Sequence, residues 1–288
     1  MENLSLSLGA NTLTQDFWVN AEMLRTFMPV CKRNGITALE VPYPALRLNN
    51  PISKINDVRT AFDISEVSIC HFYAGDAPDP LDSGEEESAL ASLRSACDFA
   101  NLVAAKKVVG PLGIHIGKEG GTVEQVTAYM KKAAAIAEHY GITLCMEPLR
   151  PHEDKVLNGF DGAIEVVDAV GSKYVKIHYD SFHCYHLDLD PCATIAKIGS
   201  ERLGHVHISG SDRLPPGLDK VDWNMVFAGL RNVSYAGAVV LELFGPGCRE
   251  EIPGIADEGF PRSLDTETSI KVSRFTLERH NIIAPLAG

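Results

Sequence analysis

Residues 142–180 read ITLCMEPLRPHEDKVLNGFDGAIEVVDAVGSKYVKIHYD, and they contain the unit from which the fold is built. Ile142–Pro148 is a short apolar run, Phe160–Val170 is a helix candidate that stops before Gly171, and Tyr174–Asp180 is a second run of strand type. A strand, a helix and a strand in that order make a parallel pair joined by a crossover. The alternation continues in both directions. The other runs are Leu4–Thr12, Ile36–Pro42, Val67–Tyr73, Lys107–Leu112, Gly204–Ser209 and Ala238–Phe244, which makes eight strands. Several are almost continuously apolar, as in Val239-Val240-Leu241, the pattern of strands buried on both faces.

Helices are expected between the runs. Glu85–Ala105 places Leu90, Leu93, Ala96, Cys97, Ala100 and Val103 near a 3.6-residue period. Thr122 is a cap for Val123–Tyr140, and Gly141 ends it. Cys192–Ile198, Asp222–Leu230 and Leu264–His280 are further candidates, six in all. Eight unbroken alternations predict a closed (β/α)8 TIM barrel, with one domain spanning 1–288. A doubly wound open sheet is the alternative, and the lack of a glycine-rich dinucleotide fingerprint after the first strand speaks against it. The Asp76–Glu87 segment is the most loop-like stretch; it follows the third strand and is expected at the catalytic mouth.

Composition narrows the function. Of 288 residues, 45% are hydrophobic and 22% charged, as in a globular protein with ample core material. The formal net charge of -12 argues against a nucleic-acid partner, which requires a basic face. No run approaches the ~18 apolar residues that span a bilayer, and Met1–Leu8 lacks the pattern of a signal peptide. The 7 cysteines are odd in number and form no CxxC pair. They read as reduced core residues, and a cytoplasmic setting is expected.

In such barrels the active site forms at the C-terminal ends of the strands. The second half of the chain places a polar residue there on each strand: Glu147, Asp180, His207 (with His205 beside it) and Glu242. The spacings are 33, 27 and 35 residues, about one repeat each, so the four side chains are expected at one height. Singly, each has a plain reading: a strand-end Glu in an ion pair, an Asp before Ser181 capping a turn, a strand histidine such as His178 or His205 bonded in the core. Together, three carboxylates and an imidazole repel or compete without a cation. Oxygen-rich donors with one nitrogen suit Mn2+, Co2+ or Mg2+ better than structural zinc.

These residues also carry a resemblance. Glu147-Pro148-Leu149-Arg150-Pro151-His152-Glu153, followed by Leu157-Asn158, resembles the fifth-strand region of the ketose 3-epimerases. Those are the D-tagatose and D-psicose 3-epimerases of the xylose-isomerase-like barrel superfamily. Asp180-Ser181-Phe182-His183 is similar to their Asp-Thr-Phe-His stretch, and Gly204-His205-Val206-His207 with Asp212-Arg213-Leu214-Pro215-Pro216-Gly217 to their seventh-strand segment. Leu241-Glu242-Leu243-Phe244 resembles their last strand. The specific match covers the C-terminal half. Two departures bear on the substrate: Leu149 stands where the family usually has Asn before Arg150, and Gly210 where the epimerases often carry Glu.

The resemblance implies roles. Glu147, Asp180, His207 and Glu242 would ligate one divalent metal, Glu147 and Glu242 would transfer the proton, and Glu153, His183 and Arg213 would contact a small sugar. It also implies a homo-oligomer. Phe72, Tyr73, Phe182 and Phe244 are candidates to pack on the sugar's C–H face, or simply on the barrel. Other functions use related parts: an aldose–ketose or hydroxypyruvate-type isomerase, a lyase acting on a 3-keto glycoside, and an endonuclease IV-type DNA-repair enzyme reading His71 and His115 as zinc ligands. A sugar-binding module without catalysis has little use for opposed carboxylates around a cation.

Overall fold

Eight parallel strands pair in sequence order, and the last returns to the first, closing the barrel. The structure is a computed structural model that describes residues 4–71, 78–112, 120–151, 153–154, 156–245, 248 and 264–286. The strands are β1 (Leu8–Asn11), β2 (Ala38–Tyr43), β3 (Glu66–His71), β4 (Lys107–Gly110), β5 (Thr143–Met146), β6 (Val175–Asp180), β7 (Leu203–Ile208) and β8 (Val239–Leu241). The helices among the described residues are α1 (Ala21–Arg33), α2 (Pro51–Ala61), α3 (Glu86–Leu102), α4 (Val123–Tyr140), α5 (Phe160–Val170), α6 (Ser181–His186), α7 (Pro191–Arg202), α8 (Trp223–Asn232) and α9 (Thr266–Arg279).

Local chemistry explains the helix ends. Asn20 accepts from Glu22 N and Met23 N to start α1, and Asp190 with Pro191 starts α7. Thr122 and Gln125 form a reciprocal capping box on α4. Gly141 and Gly171 end α4 and α5 in the left-handed conformation, at φ 64° and 66°. The first strand is shorter than expected. Leu4 N and Leu6 N donate to Asn281 O and Ile282 O, so the chain before Leu8 pairs with the segment after α9.

Side chains fill the barrel interior. At one level Gly9, Ala38, Ala238 and Val240 meet; a Cβ on Gly9 would lie 2.9 Å from Val240 Cγ2. Higher up the filling is polar: Asn11, Glu40, Ser68, His178, His205 and His207 are all buried. Pairing of β6 with β7 is irregular at Ile177/His178: Ile177 opposes Leu203 and His178 opposes His205, leaving Gly204 over. This bulge next to the site turns His205 and His207 inward beside His178 and Asp180. A Cβ on Gly204 would meet Lys176 Cβ at 2.6 Å and Cys145 Sγ at 2.7 Å, so only glycine fits there.

All seven cysteines are free, and only Cys192 is not buried. No helix among the described residues is long and apolar enough to cross a membrane.

Candidate functional site

Glu147 follows β5 directly, and its N–H donates to Gly110 O at 2.9 Å, which ties it to β4. Asp180 ends β6, and its Oδ1 accepts from Phe182 N at 2.8 Å, which starts α6. Asp180 therefore caps a helix with one oxygen and leaves Oδ2 for the site. His207 lies in β7, and Glu242 follows β8 with its N–H on Ile208 O at 3.3 Å. All four side chains are buried, and one donor atom from each lies within 4.8 Å of the others.

Register explains how they meet. Asp180 and His207 are direct partners, but Val240 opposes His207 and Ile177 opposes Met146. Strand tilt of ~36° displaces successive partners along the barrel axis by about one residue. The advances from Glu147 to Asp180 and from His207 to Glu242 offset that drift, so the four groups arrive nearly level.

A buried arginine balances part of the negative charge. Arg213 Nη1 donates to Asp180 Oδ2 at 2.6 Å, Glu242 Oε2 at 2.8 Å and Ser209 Oγ at 3.1 Å. The residue is buried and holds a left-handed φ of 59°, uncommon without glycine. Its guanidinium stacks on Phe182 at 3.9 Å and Phe244 at 4.7 Å. His183 Nε2 lies 3.3 Å from Arg213 Nη2 and 3.7 Å from Glu147 Oε1. Glu153 is held by Arg150, Nε to Oε2 at 2.6 Å, and lies 3.5 Å from His183 Nδ1. The seven residues expected at the site thus converge. Phe182 and Phe244 line it by stacking on Arg213; Phe72, Tyr73, His115 and His152 lie outside the described residues, as do Asp76 and Ala77 of the mouth segment. His71 stays apart: its Nε2 is 3.4 Å from Ser92 Oγ, and it belongs to none of the possible ligand groups among the described residues.

The two glutamates differ in environment. Burial, with Glu242 and Asp180 nearby, raises the Glu147 carboxyl well above its usual range. Burial also acts on Glu242, but His207 and Arg213 outweigh it and hold that carboxyl low. Asp180 is pushed up to about 6 by burial, against the pull of Arg213. Burial, then Arg213 and Arg150, keep His183 neutral.

The donor set fits a divalent cation. Glu147 Oε1 and His207 Nδ1 are buried without a hydrogen-bond partner among the described residues, and such atoms call for a water or an ion. The donors are three carboxylates and one imidazole, a hard, oxygen-rich set.

Reading the strand ends missed a buried acid beneath the site. Glu40, in the middle of β2, accepts from Asn11 Nδ2 at 2.9 Å and Ser68 Oγ at 2.8 Å, and meets His207 Nε2 at 2.6 Å. The signal was present: a charge inside the apolar run Ile36–Pro42.

Known proteins share the fold and parts of the sequence. The family model for the xylose isomerase-like TIM barrel matches residues 29–272. D-psicose 3-epimerase of Enterocloster bolteae is 36% identical over 115 residues, 40% of this chain and 38% of that protein. The chain thus spans less than half the length of that curated relative. The solved D-allulose 3-epimerase from Methylomonas sp. in complex with D-allulose superposes with a TM-score of 0.82 at 20% identity, over 97% of this chain and 100% of that one. The IOLI protein, solved with a bound zinc atom, superposes with a TM-score of 0.69 at 17% identity, over 96% and 98%. At these identities the structural likeness speaks for the fold.

Proposed function

The chain belongs to the xylose isomerase-like TIM barrel family, and on that premise we propose that it is a divalent-metal-dependent isomerase that moves a proton beside the carbonyl of a small ketose, as a 3-epimerase does. One observation carries the reading: Glu147, Asp180, His207 and Glu242 bring donor atoms within 4.8 Å in a buried site at the C-terminal end of the barrel. The activity of the D-psicose 3-epimerase relative, the D-allulose held by one structural neighbour and the zinc held by another support it.

Glu147, Asp180, His207 and Glu242 would hold the cation, with Mn2+, Co2+ and Mg2+ the ions best suited to that set. When bound, the ion supplies Lewis acidity that stabilises negative charge on the substrate's oxygens. The chain's own residues do the rest. Glu147 and Glu242 come from β5 and β8, with β6 and β7 between them. One carboxylate removes the proton at C3, leaving an enediolate, and the other returns a proton from the opposite side, which inverts that carbon. Arg213 and His183 donate to substrate oxygens. Glu153, steadied by Arg150, accepts from a hydroxyl. The rings of Phe182 and Phe244 exclude water around Arg213, which strengthens its interactions.

Incubating ketoses with the Mn2+-loaded protein in deuterium oxide tests this. Deuterium at C3 of a ketose, together with the inverted sugar, is expected. Label at C1 or C2 with an aldose product would make the protein an aldose–ketose isomerase. Release of an aglycone from a 3-keto glycoside would make it a lyase. Binding of sugars without any exchange would contradict a catalytic role.

A further inference from the structure

Glu40 lies in the middle of β2, fully buried, on the floor of the site and not in it. Its two oxygens face three donors and the Nε2 of His205. Oε1 accepts from Asn11 Nδ2 at 2.9 Å and from His207 Nε2 at 2.6 Å. Oε2 accepts from Ser68 Oγ at 2.8 Å and lies 2.9 Å from His205 Nε2. Three donors on two oxygens suit an ionised carboxylate, which has no proton to give. The direction of Asn11 is set independently, because its Oδ1 accepts from Leu13 N at 2.9 Å and so turns its NH2 toward Glu40.

This network dictates how the His207 ring stands. With Nε2 protonated and donating to Glu40, Nδ1 is the nitrogen left for the site, 3.3 Å from Glu242 Oε2. A metal-binding histidine needs that arrangement: one nitrogen donating to an outer acceptor, the other offering its lone pair. We propose that Glu40 is the positioning residue of the metal centre, holding His207 so that Nδ1 faces Glu147, Asp180 and Glu242. The proposal rests on the metal-centre reading above and adds to it a residue outside the ligand set.

Two substitutions separate positioning from simple loss of charge. Glu40→Gln keeps one oxygen that can face Asn11 and His207, while its NH2 turns to the Ser68 hydroxyl. Glu40→Leu removes the acceptor entirely. Mn2+ affinity, measured on the full chain by equilibrium dialysis, is expected to fall about 10–100-fold in Glu40→Leu, with Glu40→Gln recovering most of the loss. Equal affinity in wild type and Glu40→Leu would overturn the proposal, as would a Gln variant no better than Leu. Failure of the wild type to bind Mn2+ would overturn the metal-centre reading together with it. Long-range 1H–15N spectra of the Zn2+-loaded wild type need no variant to fold. They are expected to show His207 protonated at Nε2 and coordinated at Nδ1. The opposite assignment would also overturn the proposal.

Discussion

At the scale of single residues, proton transfer and the pH dependence of stability can be measured separately. Glu147 and Glu242 are proposed as the proton-transfer pair, and a positioned carboxylate typically contributes ~10²–10⁴-fold to such a step. Glu147→Gln and Glu242→Gln are each expected to lower kcat by at least that much with the circular dichroism spectrum unchanged. Near-normal turnover by either folded variant would remove the two-base scheme. Burial lowers the pKa of His71 from 6.5 to about 4. The unfolded chain therefore takes up a proton before the folded one, so the contribution is complete above pH ~6.5 and is lost as pH falls toward 4. Its full size is on the order of 3 kcal/mol. Urea midpoints between pH 7 and 4.5 are expected to fall less steeply for His71→Leu than for wild type. Parallel curves would show that His71 does not titrate as a buried neutral ring.

At the scale of elements, the turn after β7 decides where Arg213 points. Gly210 N donates to Leu214 O at 2.9 Å, and Arg213 N donates to Gly210 O at 3.0 Å. A Cβ on Gly210 would lie 2.5 Å from Leu214 O and 2.9 Å from Asp219 Cβ. This accounts for glycine at the position where the 3-epimerases often carry Glu: the turn has no room for a side chain. Gly210→Ala is expected to cost about 1–3 kcal/mol, the usual range for overpacking, and to raise KM for the sugar by displacing Arg213. An unchanged Tm and KM would show that the turn yields without moving Arg213. The elements also show what could be read in advance. Glu147, Asp180, His207 and Glu242 were legible because a charge ending an apolar run is costly unless something compensates it. Glu40 broke the same rule but sat in mid-strand, away from the end where active sites form. The bulge at Gly204 and the short first strand depend on partners far along the chain, Cys145 and Lys176 for one and Asn281 and Ile282 for the other. Local pattern carries no trace of such contacts.

At the scale of the whole molecule, the eight-fold alternation was legible because each repeat begins with a short buried run, and some helices carry local signals as well, such as the glycine stops of α4 and α5. Closure brings Asn11 of β1 within 3.5 Å of Glu242 after β8, a contact between residues 231 positions apart. The site is thus a property of the closed barrel, where Arg213 balances Asp180 and Glu242 and Glu147 lies buried beside them. Dialysis against EDTA is expected to abolish turnover, and Mn2+, Co2+ or Mg2+ to restore it; full activity in a verified metal-free sample would contradict the dependence. The most direct measurement is an anomalous difference map from crystals of the Mn2+-loaded protein. One strong peak per chain is expected, bonded to Glu147, Asp180, His207 through Nδ1, and Glu242. A peak bound elsewhere, or those four side chains turned away from any common ion, would contradict it.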